Sequence, residues 1–397
     1  MQLYSPAGYF MVMTALLALA ASPLLRGADA SGHAQSVRVA TIDGLRGFLA
    51  LGVFFHHAMI YHLYLQRGLW TLPPSAFFTQ LGQSAVLAFF MITGYLFWGK
   101  ALAASGRLDW LPLYIGRVLR IGPVYYLATA GMLAIVCVHT ALHPAQARGS
   151  LAALVHELSR LALLGYFTPG ARILGYAQPW ILLAGVTWTL HFEWLFYLLI
   201  LPCSSVFARW RWTQLPYVAA GLAVLLARVA YHPTTQNVGF AAFYAGMLCA
   251  TLRARGLAIA AGSLSDRLAS AAVLALLVVL VRIPQAYALR PLLLLCVMFA
   301  LLSSGCSLFG LLRTRASRRL GEISYCIYLL QGLALHAWLS PPWLRNLALS
   351  SVPAYWGLVL LTSVTLILAA LFAHVLVEKP GIALGRKIAG RHARTPA

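Results

Sequence analysis

Apolar runs of bilayer-crossing length recur along almost the whole chain, and no other feature restricts its fold so severely. Ten are drawn, over 42–61, 82–99, 121–140, 187–206, 215–230, 237–252, 268–283, 291–308, 322–339 and 355–376. A further apolar stretch, Tyr9 to Leu25, precedes them. Lipid offers a backbone no hydrogen bonds, so such runs must satisfy their own N–H and C=O groups as helices. Composition agrees: 61% of the residues are hydrophobic, 9% are charged and the mean hydropathy is +0.81. The expected fold is an all-α polytopic integral membrane protein of about ten transmembrane helices, with an additional N-terminal helix.

In a soluble protein a net charge of +21 would suggest a nucleic-acid partner. Here the Lys and Arg sit in short connections between apolar runs and no nucleic-acid motif accompanies them, so membrane topology accounts for the charge. Of the 29 basic residues, 21 fall in one alternate set of connections and 8 in the other, which predicts that the first set is cytoplasmic. Arg117, Arg120 and the Arg313 to Arg319 loop belong to that set; the long connection from Thr140 to Val186 belongs to the other. Within that connection, Ser150 to Leu164 has the spacing of a surface helix. The natural divisions are 1–38, a hydrophobic segment and linker; 39–380, a membrane domain; and 381–397, a basic cytoplasmic tail suited to membrane lipids. Ala28-Asp29-Ala30 resembles a signal-peptide cleavage site, but no basic residue precedes the apolar stretch. An uncleaved helix, or a start placed too far upstream, fits better. The six cysteines lie in or beside apolar runs without a C-x-x-C pair and read as small hydrophobes; no metal site is expected.

Chemistry concentrates in a few places. Ile42 to His62 opens with Asp43 and Arg46 and carries His56 and His57 in its interior. Eleven helical steps return His57 to within roughly 20° of Arg46, on a face with Ala50 and Val53, and place it about 16 Å deeper. His56 points elsewhere. Arg117 and Arg120, in RVLRIGP, lie i, i+3 on one helical side, where two guanidiniums can clamp a phosphate, although a positive-inside anchor has the same appearance. In FFMITGYLF, Gly94 permits the close approach of another helix or a ligand. WTLHFEWLFY, from Trp188 to Tyr197, holds Glu193, the one acid of its span, and LGEISYCIYLLQ and VEKP place Glu322 and Glu378 at helix ends.

Together these motifs resemble, in order and spacing from Ile42 to about Pro380, the membrane acyltransferase 3 family, which includes O-antigen, exopolysaccharide and Nod-factor O-acetylases. The resemblance implies a multi-pass protein of the bacterial inner membrane that moves an acyl group, usually acetyl, from acyl-CoA to a hydroxyl of a glycan or lipid-linked sugar. Acetyl-CoA or another acyl-CoA is then a co-substrate, and no tightly bound cofactor is implied. The family's essential His and Arg match His57 and Arg46, and its R-x-x-R pair matches Arg117 and Arg120. Thr189 stands where the family usually has Ser, and Gln331 where it often has His.

O-acyl transfer requires a base or a nucleophile, which an imidazole near neutrality supplies, and cations for the CoA phosphates. The expected catalytic set is His57, Arg46 and Glu193. Arg46, Arg117 and Arg120 are expected to bind CoA from the cytoplasmic face, with Trp188 and Tyr197 as substrate contacts towards the extracytoplasmic mouth. The absence of a G-x-S-x-G elbow and of zinc signatures argues against a serine or metallo-hydrolase. The alternative from another class is a proton-coupled secondary transporter, which buried His, Arg and Glu would also suit.

Overall fold

A computed structural model describes residues 3–29, 40–144, 150–260 and 262–392 of the chain. The linker over 30–39 lies outside the described residues, as do Arg38, Arg148 and Arg394 of the charge count. Within them the fold is nearly all-α. In chain order the first helices are α1 (Pro6–Ala21), α2 (Ala40–Arg67), α3 (Ala76–Ala103), α4 (Trp110–Leu142) and α5 (Leu151–Leu161). A two-strand hairpin, β1 (Arg172–Ile173) and β2 (Tyr176–Ala177), pairs Arg172 with Ala177. Then come α6 (Trp188–Leu195), α7 (Leu201–Ser205), α8 (Arg211–Tyr231), α9 (Thr235–Ala254), α10 (Leu264–Leu280) and α11 (Leu289–Ser304). The last are α12 (Arg315–Glu322), α13 (Ser324–Leu339), α14 (Pro342–Ser350), α15 (Val352–Ala373) and α16 (Lys379–His392).

Each of the ten apolar runs is helical over most of its length. Among the described residues, six segments are long and apolar enough to cross a membrane: Ala40–Arg67, Ala76–Ala103, Trp110–Leu142, Trp188–Arg209, Arg211–Tyr231 and Val352–Gly390. The other four runs fall on α9, α10, α11 and α13, of 20, 17, 16 and 16 residues. Three of these are shorter than the ~20 residues a span requires, and α9 is diluted by Thr235, Gln236, Asn237 and Arg253. Length and apolarity therefore support six crossings, and the count of ten goes beyond them.

The chain forms two compact units. The first comprises Met1–Leu108 and Leu195–Ser324. Its centre is α2, which buries residues on nearly every side because other helices surround it. Two close approaches set the packing. A Cβ on Gly94 of α3 would collide with the Phe243 carbonyl of α9, and a Cβ on Gly246 with the Met91 carbonyl, so both helices carry glycine at their crossing. Likewise a Cβ on Gly321 of α12 would strike the Asp43 carbonyl of α2, and one on Gly47 would lie 2.6 Å from Leu320 Cβ. Phe243 stacks between Phe90 and Phe196, each with ring centroids 4.7 Å away.

Arg319 ties α1 to this unit. Its side chain is 3% exposed and donates through Nη1 to the carbonyls of Ala20 (3.0 Å) and Ser22 (2.7 Å), at the end of α1. Nε and Nη2 grip the two carboxylate oxygens of Asp29 at 2.6 and 3.0 Å. The last carbonyls of a helix have no partner within it, so a cation there satisfies both hydrogen bonding and the helix dipole.

The second unit comprises Asp109–Trp194 and Tyr325–Ala397. Its long connection is ordered by side chains. Ser150 Oγ accepts from Ala153 N and caps α5, the surface helix expected from the sequence. Glu157 accepts from Gly170 N at 2.6 Å and pairs with Arg160. From α6, the Trp194 indole donates to the Leu164 carbonyl and His191 Nδ1 lies 3.1 Å from the Tyr166 carbonyl. The WTLHFEWLFY motif thus spends two of its polar side chains holding this connection.

Candidate functional site

In the first unit, α2 separates its two central histidines as the helical period requires. His56 is buried, with Nδ1 donating to the Phe78 carbonyl of α3 at 2.8 Å, and the ring occupies the space that a Cβ on Gly82 would fill. It is a packing residue. His57 is half-buried and stacks on Trp70, with ring centroids 6.0 Å apart and planes at 28°. Trp70 lies in the connection after α2 and also meets Tyr61 and Tyr64 edge-on. An aromatic wall therefore stands over one side of the imidazole. Sequence reasoning missed Trp70, whose only signal was a tryptophan in the short connection following the histidine span. Arg46 is half-buried on the same helical face as His57.

In the second unit, Arg117 and Arg120 lie half-buried on α4 just before Pro123. Arg120 Nε is 3.9 Å from Oε1 of Glu378, a carboxylate only 1% exposed. Glu378 also accepts from His374 Nδ1 at 2.7 Å and from the Cys326 thiol at 3.4 Å. His374 to Glu378 is a π-helical turn at the end of α15, a local irregularity that aims both side chains inward. Tyr325 donates to the Ile121 carbonyl of α4 at 2.8 Å, and Arg120, Glu378 and Glu193 all act electrostatically on it. Four motifs distant in sequence thus meet around one tyrosine.

Cys326, His374 and Glu378 bring three donor atoms within 4.8 Å of one another, a grouping the sequence did not suggest. Thiol, imidazole and carboxylate are zinc-type ligands. However, the Arg120 guanidinium beside the carboxylate opposes a second cation, and Glu378 already accepts from both neighbours, so the trio fits a hydrogen-bonded cluster.

The remaining candidates divide. Thr189 is buried, donates to the Val186 carbonyl and exchanges a hydrogen bond with Tyr328 at 3.0 Å, so the hydroxyl retained at this position is structural. Gln331 is fully buried and donates to the Tyr328 carbonyl. Trp188 is half-buried and meets Phe192 edge-on; Glu193 is half-buried. Tyr197 belongs to the first unit, where it is 2% exposed and packs on Phe97 at 4.8 Å.

A family model described as an acyltransferase domain, that of the acyltransferase 3 family, matches residues 39–374. No curated protein and no solved structure matches the chain. The matched stretch takes in the Arg46 and His57 helix, the arginine pair, the WTLHFEWLFY motif and LGEISYCIYLLQ, and it sets the transporter alternative aside. The chain belongs to the acyltransferase 3 family and is a membrane acyltransferase.

Proposed function

We propose that the protein transfers an acyl group, usually acetyl in this family, from acyl-CoA to a hydroxyl of a glycan or lipid-linked sugar in a bacterial inner membrane. His57 is the base that takes the hydroxyl proton, and Arg46, on the same face of α2, favours the negative charge that develops during transfer. Arg117 and Arg120 hold the phosphates of CoA. Glu378 engages Arg120 at Nε, the nitrogen away from the guanidinium fork, and the fork is the edge that matches a phosphate. Glu193 and Trp188 serve the acceptor.

The observation that carries this reading is the difference between the two neighbouring histidines. One ring is consumed by packing against Phe78 and Gly82; the other stands half-buried beside Trp70. Acyl transfer by purified protein, with acetyl-CoA and a surface-glycan acceptor, tests it at matched membrane levels. His57→Ala should lose about 10²–10⁴-fold in turnover, the usual range for a positioned base. His56→Ala should keep its turnover per folded molecule and lose thermal stability instead. An active His57→Ala with a folded but dead His56→Ala overturns the assignment.

A further inference from the structure

Five helices of the first unit, α1, α2, α3, α10 and α11, enclose an apolar cavity of about 400 Å³ that the acyl-transfer reading does not use. Met13, Leu49, Ala85, Leu277 and Met298 represent its five walls. Leu45, Phe48, Leu49 and Gly52, its lining on α2, are turned on average about 120° from the face of Arg46 and His57.

The lining excludes water as the occupant. Its polar side chains are Tyr9, Thr14, Gln80 and Ser84; Thr14 bonds to the Phe10 carbonyl, Ser84 to Gln80, and Gln80 to the carbonyls of Ile283 and Gln285, which leaves the single hydroxyl of Tyr9 to offer a water. Water needs two or more polar partners, and a site without them stays dry. Leaving the space empty is no better, because voids cost stability in proportion to volume and one of about 150 Å³ already admits a benzene. The lining on each wall runs along roughly two helical turns, Leu45 to Gly52 on α2 and Val273 to Leu280 on α10, or about 11 Å, which is room for part of one extended acyl chain.

Its surroundings indicate which chain. Phe10, Leu274 and Leu277 line the cavity and are also exposed, which puts an apolar mouth beside α1 and α10, where a membrane protein meets lipid. At one end lie Leu308, Leu311 and Leu312, followed directly by exposed Arg313 and Arg315. We infer that the cavity is a lipid site that holds part of one acyl chain of an anionic phospholipid, with its phosphate at Arg313 and Arg315. Hydrocarbon fills the dry space, and the two guanidiniums select the headgroup charge. Helix α1, latched by Arg319, is the wall that turns an open groove into a site.

The test is native mass spectrometry of the full chain released from nanodiscs of equal phosphatidylglycerol and phosphatidylethanolamine, with the retained lipid identified by extraction. Wild type should retain one phosphatidylglycerol per chain. Ala85→Trp and Leu277→Trp, which fill the cavity from different helices, should lower retention about tenfold, whereas Val278→Trp, exposed on the same helix and outside the lining, should not. Arg313→Gln with Arg315→Gln should abolish the preference for phosphatidylglycerol while a chain is still retained. Equal retention by Ala85→Trp and Leu277→Trp in folded protein, or a wild type that retains no phospholipid or shows no headgroup preference, overturns the proposal.

Discussion

A single carboxylate shows how much one side chain decides here. Glu378 joins α4 to α15 by accepting from His374 and Cys326 while facing Arg120. Glu378→Gln keeps the shape and removes the charge, so Arg120 loses its anchor. If Arg120 holds CoA as proposed, the apparent KM for acetyl-CoA should rise roughly threefold to fivefold, corresponding to the ~1 kcal/mol of a partly exposed ion pair at 3.9 Å, with kcat changed less. Steady-state kinetics at varied acetyl-CoA provide the check. At the other charged pair, hydrogen bonds from Arg319 hold the Asp29 carboxyl below its usual value. A depressed carboxylate contributes stability that is present above the unfolded value of about 3.9 and lost as pH falls through the lower folded value. The hold on α1 should therefore be intact at neutral pH and weaken below about pH 4. Hydrogen exchange in α1 across that range should show the loss, and Asp29→Asn should flatten it; the effect is modest because half of the Asp29 side chain faces solvent.

Among the elements, the crossing of α3 and α9 depends most on residue size. Gly94 and Gly246 admit the opposing carbonyls of Phe243 and Met91, and a rigid backbone on each side leaves no flexible group to yield. Gly246→Leu should cost about 1–3 kcal/mol or more through overpacking and separate the two helices. Thermal unfolding in detergent should show the drop, and a Gly99→Ala variant, where a Cβ meets nothing within 4 Å, should show none. The sequence marked Gly94 as a point of close approach because small residues let membrane helices meet. It did not mark Gly246, since only the crossing itself places that residue opposite.

At the scale of the molecule, the 21 to 8 split of basic residues predicts the orientation on the premise that all ten runs cross. Reporter fusions at Thr314 and Gly170 should report opposite compartments, with Thr314 cytoplasmic; the same compartment for both refutes the orientation. Among the described residues six helical segments suffice in length and apolarity, so further fusions between α9 and α13 should establish whether the shorter helices also cross.

What the sequence determined by itself was whatever depends on local periodicity and composition. Apolar run length dictated helices, and the 3.6-residue repeat placed Arg46 and His57 on one face and turned His56 away. The ordered motifs carried the family. Tertiary structure alone decided which polar groups are spent on packing. Arg319 is one of many basic residues in sequence, yet it is buried and caps α1; Thr189 and Gln331, in the family's motif positions, are held within the fold. Trp70 joined His57, and Glu378 joined Arg120, only through chain segments brought together by folding. The physical reason is that a helix period reports direction around an axis, whereas the identity of the group in that direction depends on which other helix the glycine contacts allow to approach.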